Sequence, residues 1–210
     1  ASGQSQSIRG LVRITSTLSM ATYHLPAVFR KIRSLAPELE LDIATSNNLR
    51  NLTRREADIA IRHARPQEPD LIAKLVGEVT ASLYASSDYL DRIGRPQTLD
   101  ALGTAEFIGF DAQNMKELLA QFHAFGVKAT PRNFRVSSID GPVSVAMARA
   151  GVGIGLLLKE DVKLFPDLEP AVPGFEAMKI PLWLVTHREL HTSRKIRLVF
   201  DVLAEELSSL

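Results

Sequence analysis

Two hydroxyl-bearing junctions and one cationic strand end carry the residue types that could do chemistry in this chain of 210 residues. The first junction is Thr15-Ser16-Thr17 with Ser19, between a short apolar run, Leu11-Val12-Arg13-Ile14, and a helix-like pattern. The first backbone N–H groups of a helix have no internal partner, and the helix dipole is positive at that end. A strand that feeds a helix through hydroxyls can therefore take an anion or carboxylate. The plain alternative is that one hydroxyl only caps the helix. The second junction resembles the first: Val136-Ser137-Ser138-Ile139-Asp140 leads into Val143–Ala150, with Ser138 and Asp140 as candidate caps. The strand Asp58–Arg62 ends in Arg62-His63. A guanidinium can hold a carboxylate through two parallel hydrogen bonds. The alternative for Arg62 is a surface ion pair with Glu68 or Asp70.

Other motifs fall short of the chemistry they suggest. Gly151-Val152-Gly153-Ile154-Gly155 is one residue short of a dinucleotide loop and runs from helix to strand, the reverse of the phosphate-binding order. It reads as a helix end passing tightly into a buried strand, with Gly151 as the left-handed terminator. His187-Arg188-Glu189-Leu190-His191 lacks the glutamate directly after the first histidine that a zinc protease helix needs. A solvated turn is the better reading. His24 and His123 lie in helix-like stretches and read as surface or satisfied core residues. The sequence contains no Gly-x-Ser-x-Gly elbow and no P-loop.

The elements that position these residues follow from apolar spacing. Leu25, Val28, Phe29, Ile32 and Leu35 recur with helical period, and Pro37 stops the helix. Pro26 falls near the first turns, where a missing N–H costs least. Leu39, Leu41 and Ile43 alternate with charge as a strand, Asn47-Asn48 marks a turn and Leu49–Arg55 a short helix. With the Asp58–Arg62 strand this makes β-α-β-α-β, which predicts a largely parallel sheet covered by helices. A less regular middle has extended patches at Ala73–Val76 and Val79–Tyr84, a helix capped by Ser86-Ser87-Asp88, and a strand at Phe107–Phe110. Further on come a helix around Leu118–Phe125, strands at Phe134–Val136 and Ile154–Leu158, a short helix at Lys159–Leu164 and a proline-rich connection, Pro166–Gly174. The last strand is Pro181–Thr186, followed by an amphipathic helix, Ile196–Leu207, capped by Thr192 or Ser193.

Composition narrows the function classes. With 45% hydrophobic residues the chain can bury one large or two small cores. Twenty-five Lys and Arg balance 24 Asp and Glu, which gives no electrostatic case for nucleic acid or a membrane surface. With no cysteine, disulfides and Cys-ligated zinc are excluded. No apolar run reaches membrane-spanning length, and the start, ASGQSQSIRG, lacks the apolar segment of a signal peptide.

Together these stretches resemble the effector-binding domain of LysR-type transcriptional regulators, from about Ile8 to Leu210. The matching segments are Gly10–Pro26 (GLVRITSTLSMATYHLP), Phe29–Leu41 (FRKIRSLAPELEL), Ala57–Arg62 (ADIAIR), Asp70–Gly77 (DLIAKLVG) and Ala148–Leu158 (ARAGVGIGLLL), then the closing strand and helix. Glycine is common in the family at Thr15 and near Arg55, and proline at Lys159. The first departure could add a hydroxyl to the pocket; the others touch loop geometry.

The resemblance implies an α/β fold of two Rossmann-like subdomains joined by two crossover strands, as in type 2 periplasmic binding proteins. Residues 1–7 would be a tail, 8–78 with 184–210 one subdomain, and 79–183 the other. A small-molecule effector would sit in the inter-subdomain cleft, and the helix-start N–H groups, the hydroxyls and Arg62 point to a small anion, a carboxylate above all. Position by position, the effector-binding residues would be Thr17, Ser19, Ser46, Arg62, Phe110, Ser138 and Asp140. A carboxylate at Asp140 would repel an acidic ligand unless it caps the helix or holds Arg62. The resemblance also implies self-association, as a dimer or a full-length tetramer. The apolar Leu25–Leu35 helix and the Leu39–Ile43 strand fit that expectation. Promoter DNA would be bound only through a winged helix-turn-helix preceding Ala1, in a cytoplasmic protein without cofactor, metal, membrane contact or catalysis. The competing class is a periplasmic solute-binding protein of a transporter. An enzyme would need a nucleophile–base pair or a metal set, and the sequence offers neither.

Overall fold

The structure, a computed structural model, describes residues 7–46 and 57–210. The turn expected at Asn47-Asn48 and the helix expected at Leu49–Arg55 lie outside the described residues. In chain order the elements are β1 (Gly10–Ser16), α1 (Leu25–Leu35), β2 (Leu39–Thr45), β3 (Ile59–Arg62), β4 (Leu71–Ser86), α2 (Ser87–Arg92), β5 (Phe107–Gly109) and α3 (Met115–Phe125). Then follow β6 (Val136–Ser137), α4 (Gly141–Arg149), β7 (Ile154–Leu158), α5 (Lys159–Val162), β8 (Leu168–Pro170), β9 (Met178–His187) and α6 (Arg194–Leu207). The chain divides into two compact units, residues up to Glu78 with Pro181–Leu210, and Val79–Ile180. It passes from one to the other along β4 and back along β9.

In the first unit the strands run in the order β2-β1-β3-β9. Strand β1 pairs parallel with both β2 and β3, as the β-α-β-α-β pattern predicts, and β9 pairs antiparallel with β3. Side chains alternate across a strand. On β3, Ile59 and Ile61 enter the main core with Val12 and Ile14 of β1 and Leu182 and Leu184 of β9, under α1 and α6. Ala60 turns to the opposite face, with Val185 and Ala57. Leu25, Val28 and Ile32 of α1 and Ile196, Val199, Phe200, Leu203 and Leu207 of α6 are buried against the main core. Leu35 departs from the helical-spacing expectation: at the end of α1 it is 56% exposed.

In the second unit the order is β4-β7-β5-β6, with β8 on β4. Here the sheet is covered on both faces, and adjacent residues of one strand serve different cores. Leu83 and Phe107 join Leu118 and Phe122 of α3, while Tyr84 and Ile108 join Val145 and Ala148 of α4. The rings of Phe107, Phe122 and Phe134 meet at 4.9–5.6 Å between centroids. Gly151, at φ 74°, terminates α4 as the sequence suggests. Two readings change. The extended patches of the middle form one strand, β4, because alternation is masked where both faces are buried. The proline-rich connection contains β8, three residues paired with the end of β4.

Candidate functional site

The first junction is a capped helix start. The helical run begins at Leu18, directly after Thr17. Thr17 Oγ1 accepts from the Met20 N–H at 3.4 Å, and the Thr17 carbonyl accepts from the Ala21 N–H at 3.0 Å. Thr17 therefore does what a cap does, at the long end of hydrogen-bond distance. Ser16, fully buried, donates its hydroxyl to the Thr17 carbonyl at 3.0 Å. Ser19 is the second residue of the run, with right-handed helical backbone and 6% exposure. Between this start and α1 the helix widens into a π turn, Met20–His24, closed by the Leu25 N–H on the Met20 carbonyl. Pro26 is the second residue of α1, in its first turn as the sequence suggests, where a missing N–H costs least. π turns occur often at functional positions.

The loop after β2 and the end of β3 gather around the same strand end. Ser46, half-buried, donates its backbone N–H to the Ser16 carbonyl at 2.8 Å, continuing the β1–β2 pairing by one residue. Arg62 is 4% exposed and is therefore not a surface side chain. Its Nη2 donates to Thr15 Oγ1 at 3.1 Å and its Nη1 to the Ile61 carbonyl at 2.9 Å. Burial lowers its pKa from the ordinary arginine value. The hydroxyl of Thr15 is itself buried, at 1% exposure, and is turned toward Arg62.

The second unit holds the other three predicted residues at the ends of β5 and β6. Phe110, half-buried, follows β5 directly and packs on the edge of the aromatic core. The Ser138 N–H donates to the Gly109 carbonyl at 2.8 Å. The Ser138 hydroxyl accepts from the Asp140 N–H at 3.1 Å, which shapes the turn into α4. Asp140 stands at the cap position of α4, but its side chain makes no capping hydrogen bond, contrary to the expectation of a cap there. Ser193 likewise holds the cap position of α6 without a side-chain bond.

The glycine run behaves as a helix-to-strand passage. A Cβ on Gly153 would lie 2.6 Å from the Glu106 carbonyl oxygen, so this position admits only glycine without a backbone shift. The histidine turn differs from the solvated reading. Its backbone is a turn, with the His191 N–H on the His187 carbonyl at 3.1 Å. Yet His187 Nε2 and His191 Nδ1 are buried without a hydrogen-bond partner, and the His191 ring meets Phe200 edge-on at 5.6 Å. His187 also lines a cavity of about 430 Å³ with Glu68, Asp70 and Arg188. Sequence spacing gives no signal for this, because the packing partners come from distant segments. His123 is a satisfied residue, its Nε2 2.7 Å from the Ala129 carbonyl. Among the described residues, no group of three or more His, Asp or Glu is placed to hold a metal ion. No helix of the described residues is long and apolar enough to cross a membrane.

The model of the LysR substrate binding domain matches residues 5–208. Similar curated proteins include the HTH-type transcriptional regulator CrgA of Neisseria meningitidis serogroup C (strain 8013), 26% identical over 96% of this chain and 68% of the relative. An HTH-type transcriptional regulator of Xanthomonas campestris pv. campestris (strain 8004) is 25% identical over 98% of this chain and 62% of the relative. The structure of the CrgA regulatory domain aligns with a TM-score of 0.79 at 22% identity, over 95% of this chain and 100% of that one. Full-length AphB of Vibrio cholerae, a virulence activator, aligns at 0.76 and 18% identity, over 95% of this chain and 69% of its own. The architecture is therefore the α/β, two-subdomain, periplasmic-binding-protein-like fold of LysR regulatory domains. Its hydroxyl-bearing strand ends, its closing helix and its nearly complete match to the family model lead to one assignment: the chain belongs to the LysR substrate binding domain family.

Proposed function

We propose that this chain senses a small anionic effector, a carboxylate above all, as the regulatory domain of a cytoplasmic LysR-type transcriptional regulator. The family match over residues 5–208 carries the regulatory part of this reading. The named relatives are transcriptional regulators, which favours that part over transport of a solute. For the ligand, the single observation that carries the reading is Arg62, a guanidinium buried at the end of β3 beside the Thr17-capped helix start. Arg62 Nη2 and Nη1 donate to a hydroxyl and a backbone carbonyl at that strand end. Hydrogen bonds between a guanidinium and a carboxylate are charge-assisted and stronger than neutral ones.

In this reading Thr17, Ser19, Ser46 and Arg62 supply one side of the ligand's contacts, and Phe110, Ser138 and Asp140 the other. Self-association and promoter binding through an N-terminal helix-turn-helix belong to the whole regulator. A thermal-shift screen of small carboxylates, each beside its neutral amide, tests the ligand chemistry. A ligand at about a hundred times its dissociation constant adds about 2.7 kcal/mol of stability. Carboxylates that raise Tm where their amides do not support the reading; amides that match them sink it.

A further inference from the structure

We infer that Thr15 is a positioning residue for Arg62: its buried hydroxyl fixes the guanidinium across the carboxyl ends of β1 and β3. Strand alternation puts Thr15 on the sheet face opposite Val12 and Ile14. On that face the earlier residues of β1, Leu11 and Arg13, are exposed, whereas Thr15 is 1% exposed. Its parallel partner on β3 is Ala60, two residues before Arg62 on the same face. Ala60 is fully buried there. Arg62 Nη2 reaches the neighbouring strand and donates to Thr15 Oγ1 at 3.1 Å, instead of extending outward.

The chemistry of threonine suits this task. Branching at Cβ stiffens χ1, so the hydroxyl has few alternative directions once Thr15 is buried in a paired strand. Arginine is rarely buried unless its donors are satisfied. The Thr15 hydroxyl and the Ile61 carbonyl accept from Nη2 and Nη1. Thr15 thus fixes the orientation of the guanidinium through a neutral acceptor. Its consequence for ligand affinity rests on the anionic-effector reading above; its consequence for the order of Arg62 does not.

The test uses the full chain and three variants, Thr15→Val, Thr15→Ala and Thr15→Ser, with folding of each checked by its amide spectrum. The readout is the nitrogen-15 guanidinium spectrum of Arg62, assigned with Arg62→Lys. Wild type and Thr15→Ser are expected to show separate, slowly rotating Nη signals. In Thr15→Val and Thr15→Ala these should merge through faster rotation. Unchanged Nη signals in both hydroxyl-free variants overturn the inference. Acetate is then titrated as the anion probe, with the Arg62 Nε shift as readout. A half-saturating concentration about tenfold higher in Thr15→Val extends the positioning role to binding, and an equal one overturns that extension. If acetate fails to shift Arg62 in wild type while the Nη signals still depend on Thr15, the anionic reading of Arg62 falls and the positioning role stands.

Discussion

Thr17 and Gly153 show how differently two small residues can be constrained. Thr17 contributes one side-chain bond to the helix start, to the Met20 N–H at 3.4 Å. Loss of a Ser or Thr cap costs about 0.5–2 kcal/mol, and so long a bond belongs near the lower bound. Thr17→Ala is therefore expected to lower unfolding stability by about 0.5 kcal/mol, read from urea denaturation. A loss above about 2 kcal/mol would mean the hydroxyl supports more than a cap. Gly153 is constrained by space: its missing Cβ would stand 2.6 Å from a backbone oxygen, which cannot rotate away. Forcing extra volume into a packed site costs about 1–3 kcal/mol. Gly153→Ala should lose that much by the same measurement, while Gly174→Ala, with open space around it but φ at 74°, reports backbone strain alone. A loss well below about 1 kcal/mol in Gly153→Ala would contradict the contact argument.

Elements with one buried face are readable from their apolar spacing, whereas the long strand β4 is visible only as separate extended patches. The helices α1 and α6 show clear apolar stripes because one face meets the core of the first unit and the other meets solvent. The parallel pairing of β1 with β2 and β3 follows from the connections between them. By contrast, β4 buries both faces along Ala81–Ser86, and its alternation disappears. The π turn at Met20–His24 has no periodic signal. Of the site residues, the hydroxyls at strand ends are visible as a pattern. The burial of Arg62 against Thr15 is not, since it depends on two strands brought together by folding. One inter-element contact has a pH signature. Arg149 Nε donates to Asp167 Oδ2 at 2.7 Å, joining α4 to the turn before β8, and holds the Asp167 carboxyl below its ordinary pKa. A depressed carboxylate stabilises the fold above its unfolded pKa, and that contribution is lost as pH falls through the folded value. Asp167→Asn is expected to lower Tm slightly at neutral pH, with the difference closing as the solution is acidified below the ordinary carboxylate range. A difference that persists in acid would assign the effect to packing.

At the scale of the whole molecule, each of the two units has apolar clusters of its own and one hydroxyl-bearing strand-to-helix junction. The balance of 25 basic and 24 acidic residues leaves no general field to attract an anion. In the proposed reading, recognition of a carboxylate then comes from local groups, with Arg62 and Thr17 as the residues to test. Isothermal titration of the wild-type chain, Arg62→Lys and Thr17→Ala with the carboxylate that most raises Tm, and with its amide, tests this most directly. A hydrogen bond to a charged group contributes about 1.5–3 kcal/mol and a neutral one about 0.5–1.5 kcal/mol. The account predicts saturable binding of the carboxylate, about tenfold or more weaker in Arg62→Lys and less than about tenfold weaker in Thr17→Ala, with the amide failing to bind. Amide binding as tight as carboxylate binding, undiminished in both variants, would contradict it.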